Sequence, residues 1–84
     1  MKYKHTLNYY NKTIDGKWKH TNTVDMGIVK QANVDLATSK ETRKFFKSIG
    51  AKETVQKMWN GVRLTSISPN GKEKRVHLYE KIGA

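Results

Sequence analysis

The sequence predicts an α+β domain: an antiparallel sheet built from two β-hairpins, with one amphipathic helix packed on one face. Two observations carry that prediction. About residues 3–28 and 62–82 alternate apolar and polar side chains around compact turn signals, the period of half-buried strands. About residues 39–49 instead gather apolar side chains at helical spacing, between a capping residue and a glycine. The 84 residues suffice for one domain, 1–84, and a single proline with no Gly/Ser-rich linker gives no boundary.

In the first hairpin Tyr3, His5, Leu7 and Tyr9 share one strand face, and Trp18, His20, Asn22, Val24, Met26 and Ile28 share a face of the next. Asp15-Gly16 between them tolerates the positive φ of a type I′ turn. Centring the turn there pairs Ile14 with Lys17, and hence Leu7 with Val24, His5 with Met26 and Tyr3 with Ile28. A one-residue slip would bury lysines instead. In the second hairpin Ser68-Pro69-Asn70-Gly71 offers proline for a type I turn and glycine for a following bulge. That loop pairs Leu64 with Val76 and Val62 with Leu78, and turns Arg63, Thr65, Arg75, His77 and Tyr79 to the other face.

For the helix, Thr38 and Glu41 make a capping box and Gly50 suits the left-handed position past the C-terminus. Thr42, Phe45, Phe46 and Ile49 then face inward, with Lys40, Arg43, Lys44 and Lys47 opposite. Residues 52–59 fit either a short helix, uniting Val55, Met58 and Trp59, or a strand entering the second hairpin through Asn60-Gly61. The strand is preferred; its register sets Trp59 against Val62 and Lys57 against Leu64.

Composition narrows the function. Lys and Arg number 17 against 7 acidic residues, a formal charge of +10. Self-repulsion at that charge opposes folding, so the excess points to a polyanion, and phosphate backbones are its commonest form. The charge is uneven: +3 over the first 37 residues, with six Lys against three Asp, and +7 over the rest, with 11 basic against four acidic. With no cysteine, disulfides and thiolate metal sites are excluded. No apolar run approaches the roughly 20 residues that span a bilayer, and none follows the charged Met1-Lys2-Tyr3-Lys4-His5 as a signal peptide would require. A cytoplasmic protein with no membrane partner is expected.

Two basic surfaces are candidates for nucleic acid. One is the helix stripe Lys40, Arg43, Lys44 and Lys47, able to track phosphates. The other is the outer sheet face, with Lys4, Tyr10, Lys12, Lys17, Lys19, Arg63, Arg75, His77 and Tyr79, joined by Lys72 and Lys74 of the second hairpin. Aromatics among cations suit single strands, since bases stack while cations hold phosphates. If the helix covers the apolar face, these surfaces lie on opposite sides, a layout that suggests bridging.

Other chemistry finds little support. His5, His20 and His77 come with no carboxylate pair or paired-histidine spacing, so neither a metal nor a cofactor is expected. No nucleophile elbow, glycine-rich phosphate loop or zinc signature occurs, and a non-enzymatic protein is expected. Phe45 to Val55, with Gly50 at its turn and a hairpin beyond, has the outline of a winged helix-turn-helix. Phe46 stands where that motif wants a small residue, and Val55 falls one position early.

In size, basicity, Lys/Asn-rich usage and the stretch Thr65-Ser66-Ile67-Ser68-Pro69-Asn70-Gly71, the chain resembles small proteins of AT-rich tailed phages. That resemblance implies host takeover or counter-defence, such as inhibition of a defence nuclease or toxin, and carries over no site residue. Two classes therefore compete: a nucleic-acid-binding module, RNA favoured over DNA, and an inhibitor of a host protein such as an RNase toxin, with RNA able to bridge the two. Sheet edges leave an oligomer open as well.

Overall fold

Each alternating stretch folds as a strand, and the ambiguous segment joins them. The computed structural model describes residues 1–82. In chain order the elements are β1 (Lys2–Lys12), β2 (Trp18–Lys30), α1 (Gln31–Ala37), α2 (Lys40–Ser48), β3 (Lys52–Met58), β4 (Gly61–Ile67) and β5 (Glu73–Ile82). They form one five-stranded sheet in the order β2-β1-β5-β4-β3, antiparallel throughout. The first and last strands are neighbours, so the chain is an α+β domain closed through its ends.

The first hairpin keeps the expected Leu7–Val24 pair but reaches it differently. Its loop spans residues 13–17: Gly16 N–H donates to the Thr13 carbonyl at 2.9 Å, with Gly16 at φ 82°, and Lys12 pairs with Trp18. Two bulges follow. Thr21 is the extra residue between Tyr9–Asn22 and Tyr10–His20; Met26 is the extra one between His5–Gly27 and Thr6–Asp25. Each bulge reverses which face later side chains occupy. Tyr3 therefore pairs with Val29 rather than Ile28, His5 with Gly27 rather than Met26, and Trp18 and His20 lie on the face opposite Val24.

Further expectations are corrected. β4 and β5 pair one residue out from the predicted register, with Leu64 against His77 and Val62 against Tyr79. His77 and Tyr79 thus face the helices with Leu64, while Arg63, Thr65, Val76 and Leu78 face away. Residues 52–58 form the preferred strand, but in another register, with Trp59-Asn60 as the turn, Val55 rather than Lys57 opposite Leu64, and Lys57 rather than Trp59 opposite Val62. Because β3 follows Gly50, no second helix exists for a helix-turn-helix at 45–55. The helical layer starts earlier than predicted, at Gln31, and bends at Thr38-Ser39. Ser39, not Thr38, caps α2, its hydroxyl accepting from the Thr42 N–H at 3.3 Å.

The core lies between the helices and one sheet face. Val34 of α1, 2% exposed, inserts among Tyr3, Leu64 and Tyr79, with Val29, Ala37, Val55 and Val62 around them. Tyr3 Oη donates to Gln31 Oε1 at 2.6 Å, giving the buried phenol a partner. Beside this cluster the His5 ring stacks on Tyr79 at 4.3 Å, and His5 Nε2 shares a hydrogen bond with His77 Nδ1 at 2.9 Å. Burial lowers both imidazole pKa values, and for His77 the neighbouring His5 and Arg75 add to it, holding it at about 4. One ring donates and the other accepts, so the bond requires at least one imidazole to be neutral and is lost when both are protonated.

Two outcomes are expected. A Cβ at Gly61 would stand 1.8 Å from the Tyr79 carbonyl oxygen across the β4–β5 ladder, and backbone cannot yield there. Gly61→Ala should therefore lower stability by about 3 kcal/mol in urea denaturation, near the upper end for overpacking. For the histidines, the folded state binds fewer protons than the unfolded chain between pH 6.5 and about 4. Stability is thus complete above pH 6.5 and is lost as pH falls toward about 4. Because His77 is partly solvated, a loss of about 2 kcal/mol is expected. Glu53, whose pKa is raised by burial, acts in the opposite sense. The difference between wild type and His77→Phe isolates the histidine: the variant's denaturation midpoint should fall less on acidification.

Candidate nucleic-acid interface

With both helices on one face, the other face of the sheet is uncovered. Its residues follow from the register: Lys2, Lys4, Thr6, Asn8, Tyr10 and Lys12 of β1, Lys74, Val76 and Leu78 of β5, Arg63, Thr65 and Ile67 of β4, and Trp18, His20 and Thr23 of β2. The β1–β2 bulge at Thr21 is what brings Trp18 and His20 to this side, beside Tyr10.

The geometry there is cationic and aromatic together. Lys74 Nζ lies 4.6 Å from the Tyr10 ring centre and 4.8 Å from that of Trp18, while Lys12 Nζ is 5.4 Å from Trp18. Both lysines are thus within cation–π range. His20 meets Tyr10 edge-on at 5.2 Å and hydrogen-bonds Thr23 Oγ1 at 2.7 Å; Thr23 in turn donates to Asn8 Oδ1 at 2.7 Å. From Tyr10 a shallow groove of about 310 Å³ runs across β1, β5 and β4, lined by Asn8, Arg63, Thr65, Lys74, Val76 and Leu78. It combines ring faces, hydroxyl and amide groups, and two cations.

The other predicted residues distribute unevenly. Lys17 and Lys72 lie in the two hairpin loops, and Lys19 is exposed near the end of the first hairpin. Arg75 and Tyr79 are on the helix side: Arg75 sits over the Tyr9 ring at 5.6 Å, and Tyr79, 4% exposed, belongs to the core. Neither contributes to the open face, contrary to expectation. Its most informative residue, Trp18, was assigned from alternation to the apolar face, because nothing in the local residue pattern marks a bulge.

On the helix side Lys40, Arg43, Lys44 and Lys47 do come together, but not as a solvated stripe. They line a groove of about 530 Å³ between α2 and β3, closed by Ala51, Lys52 and Glu53. α2 is rotated from the predicted phase: Thr42, Arg43 and Phe46 turn toward the sheet, whereas Phe45 and Ile49 are 59% and 53% exposed. Arg43 Nε and Glu53 Oε2 are buried there without hydrogen-bond partners. Burial raises the Glu53 pKa, opposed by a hydrogen bond from Ser66.

Among the described residues no group of three or more His, Asp or Glu is arranged to hold a metal ion, and no helix is long and apolar enough to cross a membrane. The chain matches no protein-family model, no curated protein and no solved structure.

Proposed function

We propose that the protein binds single-stranded nucleic acid, RNA in preference to DNA, on its uncovered sheet face. The observation that carries this reading is Lys74 held between the Tyr10 and Trp18 rings on a face no other element covers. Bases stacking on such rings gain about 1–3 kcal/mol each without regard to sequence, and cations beside the rings meet the phosphates. Asn8, Thr23 and Thr65 add groups that can donate to and accept from a ribose 2′-hydroxyl, which favours RNA. Lys4, Lys12, Arg63 and Lys74 supply the charge.

Fluorescence anisotropy with a labelled uridine oligomer of about 12 nucleotides tests this. Submicromolar affinity near physiological salt is expected. Four phosphate contacts on the open face give a log–log salt slope of about −3 from this surface alone. Tyr10→Ala and Trp18→Ala should each weaken binding by about 5- to 150-fold, the equivalent of one lost stack. Lys74→Gln should also flatten the slope by about 0.7. A slope near zero, or full affinity in the Tyr10→Ala/Trp18→Ala double variant, would contradict the reading.

Leu36, Phe45 and Ile49, all more than half exposed on the helices, favour a second reading as an inhibitor of a host nuclease or RNase toxin. On that reading Phe45→Ser with Ile49→Ser abolishes inhibition of the partner and leaves oligomer affinity unchanged.

A further inference from the structure

We propose that the groove between α2 and β3 is a second phosphate-backbone site, and that the protein bridges two nucleic-acid strands, one on each side of the sheet. The inference rests on the open-face reading for the first strand and on the groove itself for the second.

Four cations of the helix, Lys40, Arg43, Lys44 and Lys47, line the groove of about 530 Å³; Lys52 of β3 borders it too, although its register with Ile67 turns its side chain toward the open face, and Glu53 is the only carboxylate lining it. That carboxylate is partly buried, and burial favours its protonated form. Even with its full charge counted, one carboxylate leaves the cations lining the groove in clear excess. Concentrating like charge in so small a volume opposes folding unless an anion joins it. The groove also has an apolar lining, the Ala51 methyl and the lysine stems, against which a sugar or base can rest.

Position decides that this is a second strand's site and not an extension of the first. The Tyr10, Trp18 and Lys74 cluster lies on β2, β1 and β5, whereas the groove lies over β3 on the opposite face. From β2 to β3 is four strand spacings, about 19 Å along the sheet. The intervening layer adds to that separation, in a molecule 20 Å across its shortest axis. At physiological ionic strength the repulsion between exposed charges is screened beyond about 8 Å. Phosphates on one surface therefore barely repel phosphates on the other, and both sites can be filled together.

The test uses two uridine oligomers, which cannot pair with each other, one carrying a donor fluorophore and the other an acceptor. Wild-type protein should produce energy transfer between them when strands are in excess. Transfer should fall again when protein is in excess, as each strand acquires its own protein. Lys40→Gln/Lys44→Gln/Lys47→Gln, checked by circular dichroism for an intact fold, should lose the transfer. It should still bind single oligomers through the open face, with a flatter salt slope. Transfer that survives in this variant would mean that protein association makes the bridge, and would overturn the proposal. Binding without any transfer in wild type, the result for one strand wrapping the β3 edge, would overturn it as well. The Tyr10→Ala/Trp18→Ala variant separates the two readings. If wild-type binding is unaffected by that change but lost in the triple lysine variant, the open-face reading fails and the groove is a single site.

Discussion

β1 and β5 come from opposite ends of the chain and lie side by side at the centre of the sheet. Their contact is the one on which the other features depend. A two-stranded hairpin in water is marginal, and β1–β2 by itself is one; the β3–β4–β5 meander has one strand more. Pairing β1 with β5 joins them across 72 residues, the separation of His5 from His77. Closing so long a loop costs only slightly more entropy than closing a short one, because the penalty grows with the logarithm of length. What it creates is large. Val34 needs Tyr3 from one hairpin and Leu64 with Tyr79 from the other before it has anything to pack against. The open face likewise becomes continuous, with Tyr10 beside Lys74, only once these two strands meet.

That dependence explains which features the sequence made legible. Local signals worked: the Asp15-Gly16 and Pro69-to-Gly71 turns, the alternation of β1, and the Leu7–Val24 pair depend on residues close in sequence. Long-range register did not follow from them. Gly16 takes the left-handed position at the end of a longer loop, which shifts the start of β2 by one residue. The Thr21 bulge then restores Leu7–Val24, and the Met26 bulge shifts the pairing again. Gly27, with φ at 85° and its N–H on Asp25, is the one local trace of that second bulge. In the second hairpin the turn residues are those expected, but the loop holds one residue more, with Ser68 bonded to Glu73, and that shift turns His77 and Tyr79 inward in place of Val76 and Leu78. The partner of His77, His5, lies at the other end of the chain, invisible to any local window.

The helices depart from the expected pattern for a different reason. Periodicity identifies an apolar stripe, yet it assumes that this stripe is what the helix buries. In α2 the long side chain of Arg43 enters the interface with β3, and its aliphatic stem can cover apolar surface as well as a leucine would. Phe45 and Ile49 are left outside, and the four cations frame a groove where a stripe was expected. α1 gave no periodic signal because Val34 is its only buried residue. A single anchor makes no pattern, although it fills the centre of the core.

The same economy shapes the surfaces. Among the described residues six apolar side chains are buried, a small core against a charge of +10. An uncovered sheet face is tolerable in water because Tyr10, Trp18, Thr65, Val76 and Leu78 shield one another to an intermediate degree, with their polar tips and neighbouring cations solvated. Lys74 near the Tyr10 and Trp18 rings performs part of that work, within cation–π range of both aromatics. A polyanion would relieve the repulsion that the core must otherwise overcome, so ligand binding and folding stability are coupled in the same direction. The charge distribution makes that coupling two-sided: lysines of the helix groove and lysines of the open face repel their own neighbours most strongly, being separated from each other by the full thickness of the sheet and helices. An anion on either side therefore relaxes a different part of the fold.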